Sequence, residues 1–416
     1  MKRNIALEEA QELLLSMARP VGECSLPLYE AVGRVISRDI QAPIQLPPFN
    51  KSPLDGYAVR GQDTQSASAT SPVCLEVTEE VAAGHSAERK VTAGTTIKVM
   101  TGTPIPKGAD AVLKYEDVTR NGNICRLYGP VAAGSNVILA GEDVKKGEYI
   151  TGRGALVSPA MVGLIAALGY AEVAVYNKVK IAVISTGDEL VDQSQKLQPG
   201  KIYNSNLPSL VAACMRMGTQ ITALGNVPDQ LGAIEDIISL GLADADVVIT
   251  TGGVSVGDYD MVPDALSRMG VNVIYRGVDI KPGSPVVAAE HNNKFIICLS
   301  GNPAAALITF ELIAVPLIKK KMGLMNYLPA RVGAVLADDF GKPSPQRRFL
   351  RGRLHMAAGR NVVELTGEQS NGILKSLINC NAYIDVPAGS GRMTAGQDVS
   401  VLVVGDVFGQ QAFGFA

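Results

Sequence analysis

The fold turns on Val247-Val248-Ile249-Thr250-Thr251-Gly252-Gly253-Val254-Ser255-Val256-Gly257-Asp258-Tyr259-Asp260. An apolar, β-branched run stops at paired glycines, and a serine and two carboxylates follow before a helical pattern resumes. That order predicts a buried parallel strand whose C-terminal end opens into a backbone-rich loop. In open α/β sheets, ligands bind in the crevice beyond such strand ends. The glycines let the backbone approach closely, and its exposed N–H groups suit an anion. A Gly-Gly pair taken alone is more often an ordinary βα turn; here it is one of three such loops.

Working outward, buried-strand runs alternate with helical patterns from near Lys178 to about Lys320. The runs are Ile181-Ser185, Ile221-Leu224, Val247-Thr250, Val273-Tyr275 and Phe295-Leu299. Helices are expected near Leu207-Met217, Leu231-Leu240, Val262-Met269 and from Ala304 onward. This alternation predicts a doubly wound, mostly parallel sheet. Before it, Ile5 to Met17 has helical spacing, and short β-like runs fill the chain from the Pro-rich turn at Pro43-Pro48 to about Gly147. Ser158 to Leu168 reads as another helix. After Leu328 the short β runs return up to Val404. The expected regions are an elongated helical region at 1–45 with 146–176, a β-rich domain at 46–145, an α/β domain at 177–326 and a C-terminal β module at 327–416.

A chain of 416 residues needs more than one core, and 47% hydrophobic with 19% charged residues is a soluble, globular composition. The net charge of −2, with acids and bases interspersed, offers no nucleic-acid-binding face. No apolar stretch approaches a membrane span, and the start lacks a signal-peptide core. Six scattered cysteines without a C-x-x-C pair, and three histidines not spaced for zinc, fit a reducing, cytoplasmic setting.

Three strand ends carry the chemistry. They lead into Ser185-Thr186-Gly187-Asp188-Glu189, the Gly252-Gly253 loop through Asp260, and Ser300-Gly301-Asn302-Pro303, which opens a helix. Converging at one sheet edge, they form a pocket of backbone donors, a helix N-terminus and carboxylates. That suits a phosphorylated ligand with a divalent cation. In Asp279-Ile280-Lys281-Pro282-Gly283-Ser284-Pro285, Lys281 is either an anion-pairing charge on a stiff loop or a solvated surface lysine. Neither G-x-G-x-x-G nor G-x-x-x-x-G-K-[ST] occurs, which argues against a dinucleotide dehydrogenase or a P-loop NTPase.

Further motifs span nearly the whole chain. They are Ser52-Pro53-Leu54-Asp55-Gly56-Tyr57-Ala58-Val59-Arg60, Met100-Thr101-Gly102-Thr103-Pro104, Gly141-Glu142-Asp143, Ser185 to Leu190, Thr251 to Gly257, Lys281-Pro282-Gly283, Gly301-Asn302-Pro303 and Phe349-Leu350-Arg351-Gly352. In this order they resemble the molybdopterin molybdotransferase family, which includes the E domain of gephyrin. The resemblance implies a C-terminal β-barrel and a homodimer whose active site lies between the α/β domain of one subunit and the partner's N-terminal domains. It implies insertion of molybdate into adenylylated molybdopterin with release of AMP, aided by Mg²⁺. It also implies a molybdopterin adenylyltransferase and downstream molybdenum-cofactor proteins as partners.

Carried over by position, Asp55, Asp143, Lys281 and Arg351 are the expected catalytic residues. Thr101, Ser185, Thr186, Gly187, Asp188, Gly252, Gly253, Ser255, Ser284, Pro285, Gly301, Asn302 and Pro303 are expected to bind the pterin nucleotide. Glu189, Asp229 and Asp260 are expected at the cation. For Glu189 and Asp260 the strand-end argument agrees independently. Asp55 and Asp143 are otherwise turn formers, and Asp229 is equally a helix cap.

The departures from the family pattern concentrate on the molybdate half. Ser284 stands for a lysine, Ser300 for a proline and Ala305 for a serine. Gly367-Glu368-Gln369-Ser370-Asn371-Gly372 lacks the aligned serine and both histidines of the family segment, and Asn50-Lys51 replaces Asp-Asn. Each lost charge-assisted hydrogen bond costs about 1.5–3 kcal/mol. A second reading is therefore a diverged paralogue that binds molybdopterin or serves as a dimeric partner protein, as gephyrin's scaffold does.

Overall fold

Val247–Thr251 is buried along its whole length and lies in the middle of a seven-stranded sheet. The computed structural model describes residues 2–254 and 261–404. The strand order is Lys2–Ile5, Asn272–Val278, Val287–His291, Lys294–Leu299, Val247–Thr251, Lys180–Thr186 and Gln220–Val227. Val287–His291 runs antiparallel to both neighbours, and the remaining pairs are parallel. The expected doubly wound, mostly parallel sheet is present.

The side-chain period of two sorts this sheet into two cores. Ile181, Val183, Val247, Ile249, Phe295 and Ile297 point into one, beneath the helices Leu7–Met17, Asn206–Arg216 and Pro303–Thr309. Ala182, Ile184, Val248, Ile296 and Cys298 point into the other, beneath Leu231–Asp244 and Val262–Arg268. Burial on both faces is why these strands are continuous apolar runs with no polar alternation.

The first strand belongs to this sheet: Lys2, Arg3 and Ile5 pair with Tyr275, Arg276 and Val278. The region expected to be elongated and helical thus donates its opening strand and helix to the α/β core. Its remainder is mostly β, with Glu23–Pro27 paired to Glu172–Tyr176, Ile40–Gln41 paired to Tyr149–Thr151, and the helix Pro159–Ala167. Ser158 caps that helix by accepting from the Met161 N–H. A six-stranded sheet built on Gly56–Val59 forms the β-rich domain. Five strands, Arg331–Leu336, Arg348–Ala357, Arg360–Leu365, Ala382–Val386 and Asp398–Val403, close the C-terminal barrel.

The barrel is fastened to the α/β domain by an ion network. Arg347 grips Asp385 through Nε and Nη2 at 2.8 and 2.7 Å, and reaches Glu8 of the first helix through Nη1 at 2.7 Å. Arg331 adds a 2.7 Å bond to Asp385. Burial alone pushes the Asp385 carboxyl up, but its two arginines outweigh that and hold it below its ordinary value.

Candidate active site

The C-terminal ends of Lys180–Thr186, Val247–Thr251 and Lys294–Leu299 open side by side onto a cleft of about 490 Å³. Thr186, Gly187, Glu189, Asp229, Gly252, Gly253, Pro285, Gly301, Asn302 and Pro303 all line it, so most of the expected pterin-binding set converges.

The glycine pair is required by geometry. Gly252 has φ of +102°, and a Cβ there would sit 2.2 Å from the Thr186 carbonyl oxygen. That Cβ would also lie 2.8 Å from Thr186 Oγ1. The Thr186 hydroxyl is buried and hydrogen-bonded to no described protein atom. A buried orphan hydroxyl costs free energy unless a ligand supplies its partner.

Two asparagines outside the expected set hold the loops together. Asn206 Nδ2 donates to Thr251 Oγ1 and to the Gly301 carbonyl, both at 2.8 Å, and Thr251 Oγ1 donates to the Ser300 carbonyl at 3.0 Å. Asn204 Nδ2 donates to Ser185 Oγ at 2.6 Å. The available signal was the cluster Tyr203-Asn204-Ser205-Asn206 opening a helical pattern, which reads only as a cap until the three loops are seen together. Ile202 and Tyr203 add an exposed apolar wall.

The carboxylates are unequally placed. Glu189 folds against Gly187, with both carboxylate oxygens within 3 Å of where a Cβ would stand, while its backbone carbonyl accepts the Ile202 N–H at 2.9 Å. Asp188 and Asp229 bond each other's backbone N–H groups, at 3.2 and 3.4 Å. No group of three or more His, Cys, Asp or Glu suited to a metal occurs among the described residues. Ser255 and Asp260 lie outside the described residues.

Other expected residues fall elsewhere. Ser185 turns its hydroxyl into the sheet edge, toward Asn226 Oδ1 and Asn204. Asp188 and Ser284 flank lining residues without lining the cleft themselves. Lys281 is exposed, and its backbone is stitched to the barrel by Lys281 N–H to Arg347 O and Phe349 N–H to Lys281 O, each 2.8 Å. Asp55 and Thr101 pair within the β-rich domain, with the Thr101 N–H at 2.7 Å and its hydroxyl at 2.9 Å from Asp55 Oδ1. The backbone N–H, then the hydroxyl, hold that carboxyl below its ordinary value. Asp143 and Lys51 line a second hollow of about 560 Å³. Arg351 is 0% exposed and lines neither hollow.

Fold and cleft together define a multidomain α/β protein with a polar cleft at the C-terminal edge of its central sheet. Three family models match it in chain order. The MoeA N-terminal region (domains I and II) covers residues 5–169, a probable molybdopterin binding domain covers 182–320, and the MoeA C-terminal region (domain IV) covers 333–404. The molybdopterin molybdenumtransferase of Staphylococcus epidermidis is 33% identical over 399 residues, 96% of this chain and 95% of that protein. Its Staphylococcus aureus counterpart is 32% identical over 403 residues, 97% and 96% of the two chains. The structure of a molybdopterin biosynthesis MoeA protein from Pyrococcus horikoshii superimposes with a TM-score of 0.85 at 30% identity, covering 96% of this chain and 99% of that one. The chain belongs to the MoeA family.

Proposed function

We propose that this chain is a molybdopterin molybdenumtransferase of molybdenum cofactor biosynthesis. It takes adenylylated molybdopterin and molybdate, places molybdenum on the dithiolene and releases AMP. The observation that carries this reading is the converging cleft, with its orphan Thr186 hydroxyl and its strand-end loops. The N–H groups of Gly253 and Gly301 donate to no described acceptor and are available to phosphate oxygens. Asn206 keeps both loops in register, so these donors are preorganised around the developing charge.

Glu189 and Asp229 fit a Mg²⁺ ion, which commonly takes one or two protein carboxylates and completes its shell with phosphate oxygens and water. Bound there, the cation supplies positive charge against the pyrophosphate. Asp55, Thr101 and Asp143 line no part of their own chain's cleft, which supports a homodimer in which a partner brings them to it. The same reading keeps the chain in the cytoplasm and places it after a molybdopterin adenylyltransferase. No helix among the described residues is long and apolar enough to cross a membrane. The β-rich domain at 46–145, the α/β domain at 177–326 and the barrel from 327 onward are its working parts, joined by the segments 1–45 and 146–176.

The non-catalytic paralogue is not favoured, because transferases so named align over nearly the whole chain. The test is AMP release from adenylylated molybdopterin and Mg²⁺ under a molybdate titration. Saturable, molybdate-dependent release is expected. Tight pterin-nucleotide binding without such release would overturn the enzyme reading.

A further inference from the structure

No lysine or arginine lines the sheet-edge cleft among the described residues, although the ligand proposed for it is anionic. Glu189 and Asp229 add negative charge of their own. A diphosphate brought against them leaves even a Mg²⁺-loaded cleft with too little positive charge. Backbone N–H groups solvate an anion there but do not neutralise it.

The second hollow, in the β-rich domain, has the complementary feature. Lys51 lines it together with Glu142 and Asp143, beside an apolar wall that includes Leu46, Pro48 and Ile138. The Lys51 side chain is half-buried, and its ammonium has no ion pair or hydrogen bond among the described residues. Glu142 is engaged instead by the Leu139 N–H, which reaches its Oε2 at 2.9 Å. Lys98, whose charge reaches Asp55, is held by Glu80 at 3.3 Å and stands over the Tyr115 ring.

The Lys51 backbone is locked from both sides. Its N–H donates to the Ile138 carbonyl and its carbonyl accepts the Ile138 N–H, each at 3.0 Å. Next to it, the Ser52 N–H donates to the Thr103 carbonyl at 3.0 Å, and the Gly102 N–H returns to the Ser52 carbonyl at 2.8 Å. On the other side, the Ala140 N–H donates to Asn50 Oδ1 at 2.8 Å. Lys51 therefore stands in fixed register between the segment of Thr101, which holds Asp55, and the segment of Asp143. A fixed backbone leaves only side-chain freedom to lose on meeting an anion. The apolar wall covers the stem and lowers the local dielectric around the charge.

We propose that Lys51 supplies the cation that the cleft lacks: its ammonium pairs with the diphosphate of the adenylylated pterin held in the cleft of the partner subunit. The inference deepens the transferase reading and rests on it and on its inter-subunit site. Lys51→Met keeps the apolar stem and removes the charge, whereas Lys51→Arg keeps the charge. In the full-length protein with Mg²⁺, Lys51→Met should bind adenylylated molybdopterin roughly tenfold or more weakly by calorimetry, as for a lost charge-assisted bond. Lys51→Arg should stay near wild type. Added salt should weaken wild-type binding more than Lys51→Met binding. KM for molybdate should not move, and a defect confined to it would overturn the assignment to the diphosphate.

A heterodimer of Lys51→Met and Glu189→Gln subunits, purified through two different tags, tests where Lys51 acts. Its working cleft has Glu189 on the Lys51→Met subunit and takes Lys51 from the other subunit. It should therefore show the wild-type KM for the adenylylated pterin, with one site working per dimer. A KM as high as that of the Lys51→Met homodimer would mean that Lys51 serves its own chain and would overturn the proposal. Wild-type affinity in Lys51→Met would do the same. A defect in Lys51→Arg equal to that in Lys51→Met would assign the effect to packing rather than charge, and would also refute it. Local disturbance in the Lys51→Met domain does not blur the heterodimer result, because its working site draws on the unaltered domain. Absence of AMP release from wild type would refute the transferase reading, while calorimetry still reports on Lys51. A wild-type monomer in sedimentation would refute the shared site and the proposal with it.

Discussion

Gly283→Ala tests whether the Lys281–Pro285 wall is built by close packing. Gly283 has φ of +96°, and a Cβ there would lie 2.2 Å from Thr309 Cγ2 and 3.3 Å from the Ala305 carbonyl. An L-residue held at such a φ costs about 1–3 kcal/mol. Forcing a methyl into an occupied core costs about 1–3 kcal/mol more. At about 2–4 °C per kcal/mol, the apparent Tm of the α/β unit should fall on the order of 10 °C. Thr309→Ser removes the colliding methyl and keeps the hydroxyl that donates to the Ala305 carbonyl at 2.8 Å. Alone it should cost about 1 kcal/mol, as for deletion of a buried methyl. In the Gly283→Ala background the new Cβ fills the vacated space, so the double variant should melt above the Gly283→Ala single variant. Calorimetry on the four proteins reads the ordering. Additive losses, or a Gly283→Ala protein as stable as wild type, would refute the packing argument.

Asp385→Asn should destabilise the barrel docking by about 3–5 kcal/mol at neutral pH, because it leaves Arg347 and Arg331 without their buried counter-charge. The folded carboxyl titrates below its ordinary value of 3.8, so its contribution is complete above that value and disappears as pH falls through the folded pKa. Denaturation of both proteins across acid pH should therefore show the difference shrinking, and a constant difference would contradict it. Asn206→Ala should weaken adenylylated-pterin binding by about 1–3 kcal/mol, since Thr251 Oγ1 and the Gly301 carbonyl lose their shared donor. Calorimetric titration measures this, and wild-type affinity would count against Asn206. Asp55→Asn and Glu189→Gln homodimers should each be inactive, while mixing them should restore activity through dimers with one intact site. No recovery on mixing would contradict an inter-subunit site.

Buried parallel strands were legible because burial on both faces removes any need for polar alternation, as Val247–Thr251 demonstrates. Val287–His291 was not: Val-Ala-Ala-Glu-His has no distinctive period, and the strand exists through antiparallel pairing with both neighbours. Lys2–Ile5 escaped for a related reason, since only Ile5 is buried and pairing to Asn272–Val278 defines the strand. The long helix after Asn302 was expected to be regular, yet Phe310–Ala314 forms a π turn. There Gln11 Nε2 donates to the Leu312 carbonyl at 2.7 Å, a tertiary bond that helical periodicity does not reveal. Residue type and loop position put Glu189, Gly252 and Asn302 at the strand ends, and all three line the cleft. Burial decided the rest, because a motif match cannot show whether an arginine faces a ligand or a loop.

Placement gives the departures from the family pattern a common physical meaning. Ala305 and Asn371 line the cleft, and Ser284 sits between the lining residues Gly283 and Pro285. All lie beside chain that the barrel strand Arg348–Ala357 fixes, through the Lys281 backbone and through the bonds of Arg351 to the loop from Glu368 to Ser376. The sheet-edge side, from Thr186 through Gly252 to Gly301, is held by Asn206, within the α/β domain alone. A point charge such as a lysine tolerates small displacements, because Coulomb attraction falls slowly with distance. Neutral amide and hydroxyl donors do not, since hydrogen bonds weaken steeply with angle and length. A wall of neutral donors therefore depends more than a wall of charges on how exactingly the barrel is docked. The Arg347 bridge from Asp385 to Glu8 sets that docking, so the Asp385→Asn variant tests the geometry of this wall as well as its stability.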